Sequence, residues 1–168
     1  MPAERVKRNT ESAAPKKKGA LPRTTPKKDT SRTKKTDILI SIKTPHIDNI
    51  VSRIKNHEFR KYLIPGIVQR MWFYVSSPDQ TLRYIAVVSN GKTPGQIEKE
   101  NGIGNADFNK GLKAVPYAYE ILHLYRLHVP LPIAKLREDH GISPPQRYAY
   151  VPEALFEQVV LEDQELLF

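Results

Sequence analysis

The pattern of apolar and polar positions predicts a short helix over residues 46–54. Four apolar residues have the i, i+3, i+4, i+7 spacing that places them on one helical face: Ile47, Ile50, Val51 and Ile54. Thr44 is a suitable N-cap, and Pro45 suits the first helical position because its missing N–H would be unpaired there. We therefore expect a helix that packs one face against a core.

The segment after this helix, Lys55 to Lys61, is predicted to become a strand. The two-residue period of a strand places Glu58 and Arg60 on one side, and His57 and Phe59 on the other. If Phe59 faces the core, Glu58 and Arg60 face the groove beside the helix, with Lys55 at its lip. A carboxylate, an ammonium group and a guanidinium group then share one cleft.

The remaining periodicity predicts strands that pair as hairpins, with short helices between them. The alternation over 117–127 predicts that Ile121, His123 and Leu127 share one face. Two adjacent strands, at 67–75 and 82–88, are separated by turn residues and predict a hairpin. The other predicted elements are strands at 38–43 and 148–151 and helices at 133–139 and 152–161. The fold class is therefore α+β, with a small β-barrel flanked by short helices.

Charge divides the chain into two parts. Residues 1–36 contain 12 Lys and Arg against 3 Asp and Glu, which accounts for the whole formal net charge of +9. Because this segment has few apolar residues, we expect a disordered basic tail over 1–36 and one domain over 37–168. The lysine clusters of the tail suit nuclear import or loose phosphate binding, and a solubilising role is the alternative.

Several classes of function lack support in the sequence. The chain has no cysteine, so it forms neither disulfides nor thiolate metal sites. Its five histidines have no HxxxH or HExxH spacing, and no phosphate-binding or dinucleotide-binding glycine motif is present. We therefore expect no metal and no cofactor. No apolar run is long enough for a membrane span or a secretory signal, so we expect a soluble, intracellular protein.

Taken in order, these segments resemble the ASCH family of the PUA-like superfamily over residues 37–152. The resemblance is carried by ILISIKTPHIDNIVSRIKNHEFRKYLIP, then WFYVSSPDQTLRYIA, YAYEILHLYRL and PPQRYAYV. It implies a small β-barrel with a cleft between the first helix and the barrel, where RNA or a modified nucleotide binds. It also implies that Lys55, Glu58 and Arg60 line that cleft.

The chain departs from the family pattern at two positions. The family usually has a glycine shortly before the lysine, where this chain has Arg53-Ile54. Members that resemble acetylcytidine amidohydrolases have a threonine nucleophile candidate where this chain has Glu58. The second departure argues against hydrolysis by that mechanism.

Two further residues are candidates for ligand contacts. Tyr74 lies on a strand from which an aromatic ring could stack on a base, as do Trp72 and Tyr84, although core packing is the more common role of such residues. Ser76 follows that strand and could donate to a phosphate, although a serine in a turn usually has only a turn role.

Three hypotheses follow. The first is an RNA-binding or modified-nucleotide-binding module, with Lys55 and Arg60 holding a phosphate and the basic tail adding salt-dependent affinity. The second is a ribonuclease or amidohydrolase in which Lys55 is a base or electrostatic stabiliser and Glu58 a general acid or base. The third is a nuclear protein-interaction module that uses the basic tail and the acidic end, 153–168, as charged contacts.

Overall fold

The computed structural model describes residues 32–168, which form seven strands and four short helices. The strands are β1 (Thr33–Ile42), β2 (His57–Arg60), β3 (Arg70–Val75), β4 (Thr81–Val88), β5 (Tyr117–Pro132), β6 (Ala149–Pro152) and β7 (Glu165–Leu166). The helices are α1 (Thr44–Val51), α2 (Asn105–Asn109), α3 (Ile133–His140) and α4 (Glu153–Gln158), followed by a 3₁₀ helix at Leu161–Asp163. None of the helices in this part of the chain has the length and apolar character needed to cross a membrane.

All seven strands belong to one sheet, in the order β2-β5-β4-β3-β1-β6, with β7 added beside β5. The pairs β3–β4 and β4–β5 are antiparallel, whereas β1 and β3 are parallel because α1 and β2 lie between them in the chain. The predicted hairpin of β3 and β4 is confirmed, and so is the α+β class.

The strands at the two ends of this order, β2 and β6, form no ladder with each other within residues 32–168. Side chains join this side of the sheet instead. Arg60 Nη2 on β2 donates to the carbonyl of Ser41 on β1 at 2.9 Å, and the Tyr62 hydroxyl donates to the carbonyl of Arg147 just before β6. We call this gap between β2 and the β1–β6 edge the seam. Contrary to the expected barrel, the sheet of residues 32–168 is therefore not closed by backbone pairing, and only side chains bridge the seam.

The two faces of the sheet bury two separate cores. Ile38 and Ile40 of β1 pack with Ile47 and Ile50 of α1 in the first core. The intervening residue, Leu39, joins the second core, which is covered by α3 and α4. The alternation of β1 thus distributes its side chains between two layers, as expected for a strand covered on both faces.

The structure corrects the predicted bounds of the first helix. α1 begins at Thr44, with Lys43 as N-cap and no side-chain cap, and it ends at Val51. Ile54 lies beyond the helix and is 53% exposed. The chain leaves the helix through Arg53, whose φ of 64° is in the left-handed region. Ile54 therefore does not lie on the helical face that Ile47 and Ile50 share.

The alternation expected for the long strand is also corrected. Ile121 and Leu124 are both buried in the first core, whereas His123 between them is exposed. The reason is an irregularity in the pairing of β4 with β5 between Val87 and Val88, which changes the face of the following residues.

The boundary of the basic tail is corrected as well. Residues 1–31 of the predicted tail lie outside the described residues, but Thr33–Thr36 belong to β1. Lys34 pairs with Val151 in the sheet, and its ammonium lies 3.6 Å from a Glu153 oxygen and 5.0 Å from the Phe156 ring centroid. At the other end of the chain, Leu167 and Phe168 pack on the first core.

A pair of truncations tests this boundary. Removal of residues 1–36 should lower the free energy of unfolding by about 1–3 kcal/mol relative to removal of 1–31, because it deletes backbone hydrogen bonds between β1 and β6. Urea denaturation of the two fragments measures the difference. Equal stabilities would contradict the assignment of Thr33–Thr36 to β1.

Candidate functional site

The turn after α1 delivers Lys55 to the site. Arg53 has the left-handed conformation that glycine adopts at least cost, and the Lys55 N–H donates to the Asn49 carbonyl at 2.9 Å. The chain makes this turn with an arginine, which brings an additional cation to the neighbourhood of Lys55.

Glu58 holds two cations at once. The Lys55 ammonium lies 2.6 Å from Glu58 Oε2, and Arg60 Nη2 lies 2.8 Å from Oε1. The side chains of Lys55 and Glu58 are each 7% exposed, and that of Arg60 is 16% exposed. The structure thus brings together the three residues on which the sequence hypothesis depended, in one largely buried ion-pair cluster.

Arg60 retains hydrogen-bonding capacity in this cluster. Its Nη2 donates to the Ser41 carbonyl as well as approaching Glu58. Its Nε is buried and has no hydrogen-bond partner among residues 32–168. A buried donor without a partner costs about 1–3 kcal/mol, so the guanidinium is suited to an additional acceptor.

The environment of the cluster is cationic. Its two cations and one carboxylate have a formal net charge of +1, and His46 nearby experiences that field. Burial is the main cause that lowers the His46 pKa, and the charge of Lys55 lowers it further, while Glu58 opposes the shift. Because the two cations of the cluster outnumber its single carboxylate, the region favours a negatively charged ligand.

A cavity of about 350 Å³ adjoins the cluster. Three cationic residues, Arg53, Lys55 and Lys99, line it together with Asn101. Glu120 also lines the cavity, but its carboxylate is paired with Lys92 at 2.6 Å, and that hydrogen bond lowers the Glu120 pKa. Lys55 therefore lies between the Glu58 carboxylate and a cavity rich in positive charge.

His57 belongs to a different network from Glu58. It is buried, its Nδ1 lies 2.7 Å from Asn56 Oδ1, and its Nε2 lies 3.3 Å from the Lys92 ammonium. Since Asn56 Oδ1 only accepts and Lys92 only donates, a neutral ring with its proton on Nδ1 satisfies both contacts. Burial, followed by the charge of Lys92, lowers the His57 pKa to about 4.

Sequence reasoning missed Asn105 and Gly102, which hold this network in place. Asn105 is fully buried, and its Nδ2 donates to Asn56 Oδ1 at 2.7 Å and to the Lys99 carbonyl at 2.8 Å. A Cβ on Gly102 would lie 2.3 Å from Asn56 Oδ1, so only glycine fits there without movement. The available signal in the sequence was the pair Gly102 and Gly104, just before α2.

The structure does not bring the other two predicted residues to the cluster. Tyr74 is 3% exposed and packs with Trp72 in the second core, so its ring has no free face for a base. The Ser76 hydroxyl donates to the Ile42 carbonyl at 3.2 Å, at the end of β1. Tyr84 is half-buried and lines a separate cavity of about 530 Å³ beside the start of α1. Among residues 32–168 no group of three potential metal ligands occurs.

Comparisons with known proteins agree with this architecture. No protein-family model and no curated protein matches the chain. The crystal structure of ASCH from Zymomonas mobilis is similar, with a TM-score of 0.56 and 16% identity over 79% of this chain and 98% of that chain. Crystal structures of two mutants of that Zymomonas mobilis protein are also similar, both at 18% identity. The first has a TM-score of 0.56 over 76% of this chain and 96% of that chain, and the second has a TM-score of 0.55 over 77% and 99%. The chain therefore has the fold of an ASCH domain.

Substitution of Glu58 tests the energetic role of the cluster. Glu58→Gln should lower the free energy of unfolding by about 3–5 kcal/mol, because Lys55 and Arg60 would remain buried without a counter-charge. Glu165→Gln is the matched control: it breaks an exposed pair with Arg126 and should cost at most about 1 kcal/mol. If urea denaturation shows similar losses of stability in the two variants, the buried cluster is not more stabilising than an exposed ion pair and the prediction is wrong.

The depressed pKa of His57 predicts a pH dependence of stability. The unfolded chain takes up a proton on His57 near pH 6.5, whereas the folded chain does so only near pH 4. The free energy of unfolding should therefore fall as the pH decreases between these values, by roughly 3 kcal/mol in total. His57→Gln, whose amide can replace both contacts, should flatten this slope, while His123→Gln at an exposed position is the control. An unchanged slope in His57→Gln would contradict the assignment.

Proposed function

We propose that this protein is an RNA-binding module that holds one nucleotide, ordinary or modified, at the Lys55–Glu58–Arg60 cluster. The observation that carries the proposal is the largely buried guanidinium of Arg60, whose Nε has no hydrogen-bond partner among residues 32–168 and which shares Glu58 with the buried Lys55. Charged groups held inside a protein are costly unless every contact is satisfied. A phosphate oxygen would supply the missing acceptor and balance the excess positive charge.

The geometry gives the three residues distinct roles. Arg60 and Lys55 contact the phosphate, since both are donors with remaining capacity. Each oxygen of Glu58 is engaged by one of these cations, so the main role of Glu58 is to orient them. The nucleoside then extends toward the cavity lined by Arg53 and Lys99, which has a volume suited to a single nucleoside.

The basic segment 1–36 adds affinity by non-specific phosphate contacts. Its excess of positive charge would release counterions from RNA, so its contribution should decrease steeply with salt. The same lysine clusters suit nuclear import. In this arrangement the folded domain selects the ligand, and the segment increases the rate and strength of encounter.

Binding of single-stranded RNA by the full chain tests the proposal. In fluorescence anisotropy at about 150 mM salt, where exposed charges are screened within about 8 Å, Arg60→Ala should weaken binding by about 1–3 kcal/mol. Arg60→Lys, which keeps the charge but loses the planar fork, should recover part of the loss. Arg126→Ala, which removes an exposed arginine from β5, should bind like the unaltered protein.

Retained binding by a folded Arg60→Ala variant would place the RNA elsewhere on the molecule. The same samples distinguish the enzymatic alternative, because the Lys55–Glu58 pair also suits acid–base chemistry. If the RNA is cleaved or a modified nucleoside is converted, and Lys55→Ala abolishes turnover without unfolding, the protein is a hydrolase. Intact RNA after prolonged incubation with the unaltered protein would leave binding as its activity.

A further inference from the structure

We propose that a row of tyrosines across the seam, Tyr62, Tyr148 and Tyr150, binds nucleotides that flank the one held by Arg60. The proposal rests on the proposed function and extends it, because it identifies the ligand as single-stranded RNA several nucleotides long. We call these three residues, with the cations Arg147 and Lys35, the tyrosine surface.

The three rings form a continuous aromatic row. The centroids of Tyr62 and Tyr148 are 5.6 Å apart with their planes tilted by 40°. Those of Tyr148 and Tyr150 are 6.0 Å apart, and their planes are nearly perpendicular. All three rings are half-buried, with part of each packed on the first core and the rest open to solvent. Such partly exposed rings are rigid and retain surface on which a base can stack.

Two exposed cations lie over these rings. The Arg147 guanidinium is 4.4 Å from the Tyr62 centroid and 5.7 Å from that of Tyr148. The Lys35 ammonium is 4.1 Å from the Tyr150 centroid. Neither cation has a carboxylate within ion-pair distance among residues 32–168. Aromatic rings combined with uncompensated cations suit a ligand that alternates planar bases with phosphates.

The tyrosine surface is continuous with the Arg60 cluster. The Ser41 carbonyl accepts from Arg60, while the Ser41 hydroxyl donates to the Pro145 carbonyl at 2.7 Å. The Tyr62 hydroxyl donates to the Arg147 carbonyl. Burial raises the Tyr62 pKa. The charge of Arg60 and a hydrogen bond between Arg60 and Tyr62 oppose that shift, as expected for two adjacent side chains. A strand held by Arg60 can therefore continue directly onto Tyr62.

The chemistry of the surface favours single-stranded RNA over duplex RNA or an acidic peptide. Stacking on a tyrosine requires an unpaired base with an accessible face, which a duplex does not offer. An acidic peptide would satisfy the two cations but would make no use of three adjacent rings. A purely structural role would require the rings to fasten the segment before β6, and that role does not need exposed cations over them.

A length series of RNA ligands on the full chain tests the inference. The probes are uridine monophosphate, oligouridylates of two to eight nucleotides and an eight-base-pair RNA duplex, measured by calorimetry and anisotropy. For the unaltered protein, affinity should rise with length over the first few nucleotides, and the duplex should bind more weakly than the octamer. A Lys35→Ala/Arg147→Ala variant should lose about 10-fold in octamer affinity while keeping its affinity for the mononucleotide.

Two further variants separate the surface from its alternatives. Arg126→Ala/Lys135→Ala removes the same number of exposed positive charges elsewhere and should bind the octamer within about two-fold of the unaltered protein. Tyr148→Leu keeps an apolar side chain on the core but removes the ring, and it should flatten the length dependence if stacking contributes. Equal octamer affinity in Tyr148→Leu, or an equal loss in both double variants, would overturn the inference.

The outcomes distinguish this inference from the proposed function. If Arg60→Ala abolishes mononucleotide binding while the surface variants bind the octamer normally, the cluster stands and the tyrosine surface is overturned. If no mononucleotide binds but octamer affinity depends on Lys35, Arg147 and Tyr148, the surface stands and the cluster is not the nucleotide site. If octaglutamate binds as tightly as the octamer with the same dependence, the surface recognises acidic peptide and the RNA assignment is overturned.

Discussion

The Glu58 carboxylate is the interaction on which the arrangement of this site depends. Its two oxygens hold a lysine from the exit of α1 and an arginine from the end of β2, and that arginine in turn reaches the Ser41 carbonyl of β1. A single buried anion therefore joins three parts of the fold that no backbone ladder connects. Because it has two cationic partners, it also leaves the site with excess positive charge. The local structure and the proposed phosphate binding consequently depend on the same carboxylate.

The seam explains why the Arg60 cluster and the half-buried tyrosine rings lie on one side of the molecule. Where backbone pairing stops, side chains must satisfy the exposed edges, and here they are arginine, serine and tyrosine. These polar and aromatic groups bridge the seam without backbone pairing between β2 and β6. They also leave donors and ring faces that a nucleic acid can use. The opposite face of the sheet, covered by α3 and α4, instead buries Trp72, whose Nε1 donates to Asp37.

The site could be anticipated to the extent that local periodicity determined it. The strand period placed Glu58 and Arg60 on the same side, and the short turn after α1 kept Lys55 close to Glu58, so both ion pairs form between residues at most three positions apart. Tyr74 could not be assigned in the same way. Strand alternation leaves open which face of a strand covered on both sides meets the ligand, and the second core buried that ring.

The sequence by itself determined the α+β class, the amphipathic helix before β2, the β3–β4 hairpin and the Lys55–Glu58–Arg60 grouping, because these depend on residues near each other in the chain. Only the tertiary structure decided the extension of β1 to Thr33, the irregularity that exposes His123, and the support that Asn105 gives to Asn56. It also decided that Tyr62 meets Tyr148, 86 positions later in the chain. Such long-range pairs depend on strand order and register, which local patterns do not encode.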